Sequence, residues 1–145
     1  MIIGHGIDII EVARVAEMMR SHPARFLKRV FTPGEVAYCK KSIKRRNEHL
    51  AARFAAKEAV MKALGTGLRA GISWTDIEVM HEPGGRPVVV LHGAAAKVAA
   101  GLGVLRFHLS LTHIELVAMA SVIAEGEAVK TRKPRARKTG SPRRG

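Results

Sequence analysis

Three charged residues, Asp8, Glu58 and Lys62, have the side-chain types needed to hold a metal ion and a phosphate. Asp8 lies in the strand-like stretch MIIGHGIDII, whereas Glu58 and Lys62 share the stretch RFAAKEAVMKALGTG. Carboxylates are preferred ligands of hard cations, and a lysine ammonium binds phosphate as a point charge. These three residues are therefore our first candidates for chemistry.

Glu58 lies beside the apolar stripe of a predicted helix. At 100° per residue, Leu50, Phe54 and Met61 fall within about 40° of one another, and form that stripe. Glu58 is about 40° further round the same helix. A carboxylate at this edge needs a partner, because burying it alone costs several kcal/mol. The alternative is an exposed pair between Glu58 and Lys62, four residues apart, which contributes about 0.3–0.5 kcal/mol.

Asp8 shares one face of its strand with Gly4 and Gly6, which carry no side chains. We expect this to leave the Asp8 carboxylate open to a ligand, since an aspartate inside a strand is unfavourable on propensity alone. The alternative is a strand-end residue satisfied by backbone donors. Two carboxylates from different elements, with no His or Cys beside them, favour Mg²⁺ over zinc.

Two further segments have the chemistry to contact an anion. The GTG sequence at 65–67 follows the long helix, so its glycines cap that helix, and its exposed amides can also form a nest for phosphate. In SLTH, Ser110 and Thr112 point outward from a strand and His113 stands at its end, which suits an anionic ligand. The alternative for His113 is a structural role. We find no metal-ligand spacing around the other histidines.

The elements that position these residues form a mixed α+β domain, with helices early in the chain and antiparallel strands late. The predicted helices are EVARVAEMMRSH, residues 25–30, residues 33–41 after a TPGE capping box, residues 47–64, and the short AAAKVAAGLG. The predicted hairpins are WTDIEVMH with RPVVVLHG, and LRFHLSLTH with LVAMASVIA. In LRFHLSLTH, alternation places four apolar side chains inward: Leu105, Phe107, Leu109 and Leu111.

The charge of the chain is concentrated at one end. The 145 residues carry a formal net charge of +13, and residues 126–145 hold eight Lys and Arg against one Glu. We therefore predict a single domain over 1–125 and a basic, disordered tail over 126–145. The tail and the KKSIKRR cluster leave a nucleic-acid-binding module as an alternative function. One Trp, one Tyr and no recognisable nucleic-acid motif leave the metal and phosphate chemistry of the carboxylates as the main hypothesis and this module as a minor alternative.

Several features exclude other classes of protein. The apolar runs are shorter than the roughly 20 residues of a membrane span, and the start of the chain has no basic segment with a cleavage site. We therefore expect a cytoplasmic protein. Cys39 is the single cysteine, so it is predicted to be an inert thiol.

Six segments in this order and spacing closely resemble the holo-acyl-carrier-protein synthases, the short, single-domain class of 4'-phosphopantetheinyl transferases. They are GIDI (6–9), FTPGE (31–35), RFAAKEAVMKALGTG (53–67), WTDIEV (74–79), GGRPVV (84–89) and SLTH (110–113). The resemblance implies a Mg²⁺-dependent transfer of 4'-phosphopantetheine from coenzyme A to a serine of apo-acyl carrier protein, in fatty-acid biosynthesis. It also implies release of adenosine 3',5'-bisphosphate and a homotrimer with active sites between subunits.

The resemblance also assigns roles to residues. Asp8 and Glu58 would be the metal ligands, Lys62 would neutralise phosphate charge, and Glu58, Lys62 and His113 would be the catalytic group. Whether Glu58 or a metal-bound water takes the serine proton stays open. The residues expected to line the coenzyme A site are Lys62, Gly65, Thr66, Gly67, Gly85, Arg86, Pro87, Ser110, Thr112 and His113.

The acidic carrier protein would dock on a basic surface with apolar anchors. Its residues are Arg14 and Met18 on the first helix, followed by Arg25, Phe26 and Arg29. The alternative is an ordinary solvated face with Phe26 in the core. A third possibility is a catalytically silent trimer that only binds coenzyme A or carrier protein.

Overall fold

A long helix packed on an antiparallel sheet organises the molecule. The computed structural model describes residues 1–127 and residue 129. The five helices are α1 (Val12–Ser21), α2 (Pro23–Val30), α3 (Pro33–Lys40), α4 (Arg46–Leu64) and α5 (Gly93–Gly101). The five strands are β1 (Ile2–Glu11), β2 (Ile77–His81), β3 (Pro87–Leu91), β4 (Val104–His113) and β5 (Val117–Gly126). The α+β prediction, with its late hairpins, is confirmed.

The strands form two sheets. The larger sheet has the order β1-β5-β4, and β2 pairs with β3 in a separate two-stranded sheet. All pairings are antiparallel. The strand predicted from Trp74 begins only at Ile77, because Trp74–Asp76 forms a 3₁₀ turn closed by a capping box from Ser73 to Asp76.

Helix α4 is the centre of the core. Leu50 and Met61 are buried as predicted, but Phe54 is only half-buried and stacks on Trp74 with 4.8 Å between ring centroids. The predicted stripe is too narrow, since the alanines between these residues are buried as well. Small side chains around most of the helix let α1, α3, β1, β2 and β5 approach it from several sides.

The larger sheet presents two different faces. Alternate residues of β5 from Ala118 to Ala124 are buried beneath α4, whereas Ile7, Ile9 and Met119 are exposed on the opposite face. Leu105, predicted to point inward, is 74% exposed. An irregularity in the β4–β5 register between Val104 and Arg106 interrupts the alternation at that residue.

Helix α3 begins as the sequence predicts. Thr32 Oγ1 accepts from the backbone N–H of Glu35, and Glu35 Oε2 accepts from the backbone N–H of Thr32, so the capping box is complete. Cys39 is buried, and burial raises the pKa of its thiol to about 11. This agrees with an unreactive thiol.

Among the residues described, no helix is both long and apolar enough to cross a membrane. The basic segment predicted over 126–145 lies outside the described residues except for Gly126, Glu127 and Val129. The boundary near residue 125 therefore stays a prediction.

Candidate active site

Strand β1 and helix α4 touch backbone to backbone, and this contact brings Asp8 to the helix. A Cβ atom on Gly6 would lie 1.8 Å from the carbonyl oxygen of Ala59, and one on Gly4 would lie 2.0 Å from that of Ala63. No other residue type fits at either position. The expectation that the backbone at these glycines is open to a ligand is wrong, because α4 covers it, whereas the role of the Asp8 carboxylate as a ligand stays a prediction.

Lys62 bridges α4 to the strand. Its Nζ donates to Asp8 Oδ1 at 3.0 Å and to the carbonyl oxygen of Ile7 at 2.9 Å. The Asp8 side chain is 18% exposed and that of Lys62 is 53% exposed, so the pair lines a crevice open to solvent. Within the described part of the chain Lys62 forms no ion pair with Glu58, so the alternative of an exposed Glu58–Lys62 pair is wrong.

Glu58 is half-buried in the same crevice. Desolvation raises the pKa of its carboxyl, the negative charge of Asp8 raises it further, and the charges of Lys62 and Arg14 partly oppose both effects. A half-buried carboxylate whose charge is destabilised by a neighbouring carboxylate marks a place where a cation is stabilised.

The residues present suit Mg²⁺ and do not suit zinc. Asp8 and Glu58 offer hard oxygen ligands, and nowhere in residues 1–127 do three or more His, Cys, Asp or Glu side chains gather as a metal cage. Mg²⁺ typically keeps several waters and takes one or two carboxylates together with substrate phosphates. A site with two carboxylates beside a lysine fits that mode of binding.

The GTG segment ends α4 in the way its glycines predict. Gly65 has φ of +74°, and its N–H donates to the carbonyl oxygen of Lys62 at 3.1 Å. The N–H of Thr66 donates to the carbonyl oxygen of Met61, also at 3.1 Å. The capping role is therefore confirmed, and it leaves Gly65 and Gly67 exposed one turn beyond Lys62.

His113 lies away from the carboxylates. Its Nδ1 is 2.8 Å from Glu48 Oε2, and its ring packs edge-on to His49 with 5.7 Å between centroids. Glu48 precedes Glu58 by ten residues, which is about 15 Å along a helix. A single chain therefore does not bring His113 to Asp8 and Glu58.

The remaining residues predicted to bind coenzyme A lie at two other places in the fold, on β4 and at the turn between β2 and β3. Ser110 and Thr112 are exposed on β4, as predicted. The GGRP segment forms the turn between β2 and β3, in which the N–H of Gly85 donates to the carbonyl oxygen of Glu82 at 2.8 Å. Arg86 and Pro87 follow at the start of β3. The fold thus distributes these residues over separate edges of one chain.

The predicted docking residues surround a groove between α1 and α2. Four of them, Met18, Arg25, Phe26 and Arg29, line a space of about 480 Å³. Phe26 is only 8% exposed and packs edge-on against Phe31, so the alternative that places Phe26 in the core is correct for most of its ring. The other lining residues were not predicted from the sequence, and they include Glu17, Phe54, Leu68 and Trp74.

Arg14 has a different position from the other docking residues. It is not part of the groove lining, and its charge acts on Glu58 instead. It therefore lies closer to Glu58 than the other predicted docking residues do.

A buried ion pair beside Glu58 was also missed. Lys57 Nζ, with 0% side-chain exposure, donates to Glu35 Oε2 at 2.8 Å and to the carbonyl oxygen of Ile77 at 2.6 Å. Glu35 Oε1 accepts from the N–H of Val79 at 2.8 Å. The pair links α4 to α3 and β2 and so fixes the rotation of α4 about its own axis. Because Glu58 follows Lys57 on this helix, the same contacts set the side of α4 on which Glu58 lies.

Arg53 forms a second missed cluster on the same side of α4. It is buried over the ring of Tyr38, with Cζ 4.1 Å from the centroid. The ring of His81 also stacks parallel to the Tyr38 ring, with 4.5 Å between centroids. His81 Nδ1 lies 3.4 Å from Arg53 Nη2. His49, next to Tyr38, has a lowered pKa because of its burial and the charge of Arg53. This cluster packs α3 and β2 against α4.

The chain resembles known proteins over nearly all of the described region. A family profile described as ACPS, the 4'-phosphopantetheinyl transferase superfamily, matches residues 4–117. A holo-[acyl-carrier-protein] synthase of Koribacter versatilis is 57% identical over 125 residues, covering 86% of this chain and 99% of that protein. A holo-[acyl-carrier-protein] synthase of Moorella thermoacetica is 53% identical over 83% of this chain and 91% of that protein.

Solved structures of holo-acyl-carrier-protein synthases have the same fold as this chain. The holo-[acyl-carrier-protein] synthase of Neisseria meningitidis superimposes with a TM-score of 0.79 at 35% identity, covering 86% of this chain and 99% of that one. A Bacillus anthracis synthase in complex with coenzyme A (3',5'-ADP) gives a TM-score of 0.71 at 36% identity, covering 88% of this chain and 99% of that one. The chain belongs to the 4'-phosphopantetheinyl transferase superfamily.

Proposed function

We propose that the chain is a holo-acyl-carrier-protein synthase that transfers 4'-phosphopantetheine from coenzyme A to a serine hydroxyl of apo-acyl carrier protein. The observation that carries the proposal is the crevice between β1 and α4, where Lys62 contacts Asp8 beside the half-buried Glu58. It is supported by the names of the relatives and by the complexes of the Bacillus anthracis and Helicobacter pylori synthases with coenzyme A. We place the reaction in fatty-acid biosynthesis.

Asp8 and Glu58 would hold Mg²⁺, which supplies positive charge to the pyrophosphate when bound. In the transfer, the serine oxygen bonds to the phosphorus that carries pantetheine, and the bond from that phosphorus to the bridging oxygen breaks. Adenosine 3',5'-bisphosphate leaves with the bonding electron pair. Lys62 stabilises the charge on the leaving phosphate. The catalytic work is mostly positioning and charge neutralisation.

The serine proton needs an acceptor near the carboxylates. Burial and Asp8 raise the pKa of Glu58 in the metal-free protein, whereas a Mg²⁺ ion held by both carboxylates would make Glu58 a weaker base. A water in the same crevice is the other acceptor compatible with this site. In both cases Glu58 is essential, either as the base or as the group that orients the base.

We propose that the complete site forms between subunits of a homotrimer. In one chain His113 contacts Glu48, which precedes Glu58 by ten residues or about 15 Å of helix, and Gly85, Arg86 and Pro87 lie at the edge of the other sheet. The exposed face of the larger sheet, with Ile7, Ile9 and Met119, provides an apolar surface for assembly. His113 of the partner subunit would then face the nucleotide phosphates bound near Asp8 and Glu58.

Coenzyme A would span this junction. The amides of Gly65, Thr66 and Gly67 would face its pyrophosphate from one subunit, since they follow Lys62 directly. Ser110, Thr112 and His113 of the partner subunit, with the Gly85–Pro87 turn, would contact the nucleotide and the pantetheine arm. This placement of coenzyme A is supported by the exposure of Gly65, Gly67, Ser110 and Thr112, which are therefore accessible to a ligand.

The carrier protein would dock at the groove between α1 and α2. Arg25 and Arg29 supply charge for an acidic helix, and Met18 with Trp74 supplies apolar contact. Arg14 extends the basic surface towards Glu58. This arrangement would guide the acceptor serine to the carboxylates.

The test is direct transfer. The purified protein is mixed with apo-acyl carrier protein, coenzyme A and Mg²⁺, and the carrier is weighed by mass spectrometry. We expect one phosphopantetheine adduct on the acceptor serine. A carrier whose mass stays unchanged, while the Neisseria meningitidis synthase modifies it in a parallel reaction, would refute the proposed function.

A further inference from the structure

A second groove lies on the side of α2 opposite the α1–α2 groove. It has a volume of about 730 Å³ and is walled by α2, by the start of α3 and by the turn at Thr75. Its apolar floor includes Leu27, Val36 and Pro33, and its rim carries Lys28 from α2 and Lys40 from α3. We call it the α2–α3 groove. None of the roles proposed above uses it.

The lining of this groove carries two lysines, Lys28 and Lys40, and no acidic residue. From residue 22 to residue 47 the chain contains eight Lys and Arg and a single acid, Glu35. Glu35 is fully buried against Lys57, so it does not offset the exposed charge. Lys28 and Lys40 are both exposed at the rim. An apolar floor between cationic rims matches the apolar face and flanking acids of an amphipathic acidic helix.

Two other occupants fit less well. A second copy of this chain is already assigned to the exposed face of the larger sheet, and with a net charge of +13 it offers no excess of acid to match the lysines of this groove. Single-stranded nucleic acid is bound chiefly by stacking on exposed aromatic rings, and the one aromatic residue in the lining, Phe31, is buried. The charge and shape therefore favour an acidic protein helix.

We propose that the α2–α3 groove extends the docking surface for the acidic carrier protein across α2, so that the carrier straddles this helix. This inference rests on the proposed function. Helix α2 is only eight residues long, and Arg25 and Arg29 line one groove while Lys28 lines the other. One acidic partner in contact with both grooves would have its orientation fixed about α2, since a single groove leaves it free to pivot.

The inference is tested by steady-state kinetics of Lys28→Glu, Lys40→Glu and the double variant. Each single reversal is expected to raise KM for the carrier about fivefold, because charges at the rim of an interface act mainly on the rate of association. The kcat and the KM for coenzyme A should stay unchanged. Lys28→Arg and Lys40→Arg should retain the wild-type KM. Lys97→Glu is the control, since Lys97 is an exposed lysine on α5 that lines neither groove.

The outcomes separate this inference from the proposed function. If the wild type transfers phosphopantetheine and the Lys28 and Lys40 reversals behave like Lys97→Glu, the groove does not contact the carrier and only the inference fails. If the wild type transfers nothing, the proposed function fails first. A single-stranded oligonucleotide that binds the wild type but not the double variant, with carrier KM unchanged, would overturn the inference by assigning the groove to nucleic acid.

Discussion

Lys62 Nζ and Asp8 Oδ1 lie 3.0 Å apart although 54 residues separate them in the chain. The contact depends on Gly4 and Gly6, which let β1 approach the backbone of α4 more closely than any side chain allows. Because Glu58 is one turn before Lys62 on the same helix, the contact defines a crevice with two carboxylates and one ammonium group.

Glu58→Gln should reduce transfer while the fold is retained. We expect kcat to fall by about 10²-fold or more, since general base catalysis contributes that much. The melting temperature at pH 7 should not fall, because a carboxyl whose pKa is raised by the fold destabilises the folded state at neutral pH. Mass spectrometry of the carrier and thermal melting measure the two effects. Glu82→Gln, in the β2–β3 turn, is the control. Activity equal to that of this control would contradict an essential Glu58.

Mg²⁺ should stabilise the folded protein through Asp8 even in the absence of substrates. A ligand present at 100 times its Kd adds about 2.7 kcal/mol to the free energy of unfolding. The melting temperature of the wild type should therefore rise with Mg²⁺ and return to its starting value with a chelator. Asp8→Asn should abolish the rise. A rise of equal size in Asp8→Asn would exclude Asp8 as a ligand.

The sequence predicted the carboxylates because their local setting is unusual. Asp8 follows glycines in a strand, and Glu58 lies beside the apolar stripe of a helix. Neither position stabilises a carboxylate, so both residues indicate a ligand or a partner from elsewhere in the fold. The sequence did not predict the Lys57–Glu35 pair, because each partner has a sufficient local role. Glu35 completes the capping box of α3, and Lys57 is an ordinary helix residue until tertiary packing buries it.

The errors in the sequence reading also have physical causes. Leu105 continues the alternation of β4 in sequence, but the register irregularity at Val104–Arg106 exposes it. Such an irregularity leaves no trace in the apolar pattern. The contact between His113 and Glu48 spans 65 residues, so only the packed structure shows that His113 lies near the start of α4.

Lys57→Met should destabilise the protein strongly. Removal of Lys57 leaves the buried Glu35 charge without its ammonium partner, so we expect a loss of about 3–5 kcal/mol in the free energy of unfolding. The double variant Lys57→Met/Glu35→Gln should be more stable than Lys57→Met, because it has no buried unpaired charge. Urea denaturation measures both. Lys97→Met, on the exposed face of α5, should change stability by less than about 0.5 kcal/mol. A double variant less stable than Lys57→Met would contradict this explanation.

Stability should fall as pH is lowered through the titration range of two half-buried histidines, His49 and His81. Burial and Arg53 lower the pKa values of His49 and His81 in the folded protein. The unfolded chain, with histidine pKa values near about 6.5, binds protons first. The folded state is therefore progressively destabilised below about pH 6.5. His81→Gln should show a smaller fall in melting temperature between pH 7.5 and 5.5. His22→Gln, at an exposed position, is the control, and a curve for His81→Gln that parallels the wild type would contradict the assignment.

Active sites shared between subunits should allow two inactive variants to restore each other. In one chain His113 contacts Glu48 at the start of α4 rather than Glu58. Each of the variants Glu58→Gln and His113→Ala removes one residue from every site, so each is expected to lose most of its activity as a homotrimer. In a mixed trimer, however, one junction can combine an intact Glu58 from one subunit with an intact His113 from the next. Co-refolding the two variants should restore a fraction of the wild-type activity, whereas mixing the preformed trimers without exchange should not.

Ile9→Glu, on the exposed sheet face, should give a folded monomer by size-exclusion chromatography and abolish this restoration. Failure of the co-refolded variants to regain activity, with mixed trimers verified by native mass spectrometry, would show that each site is complete within one chain.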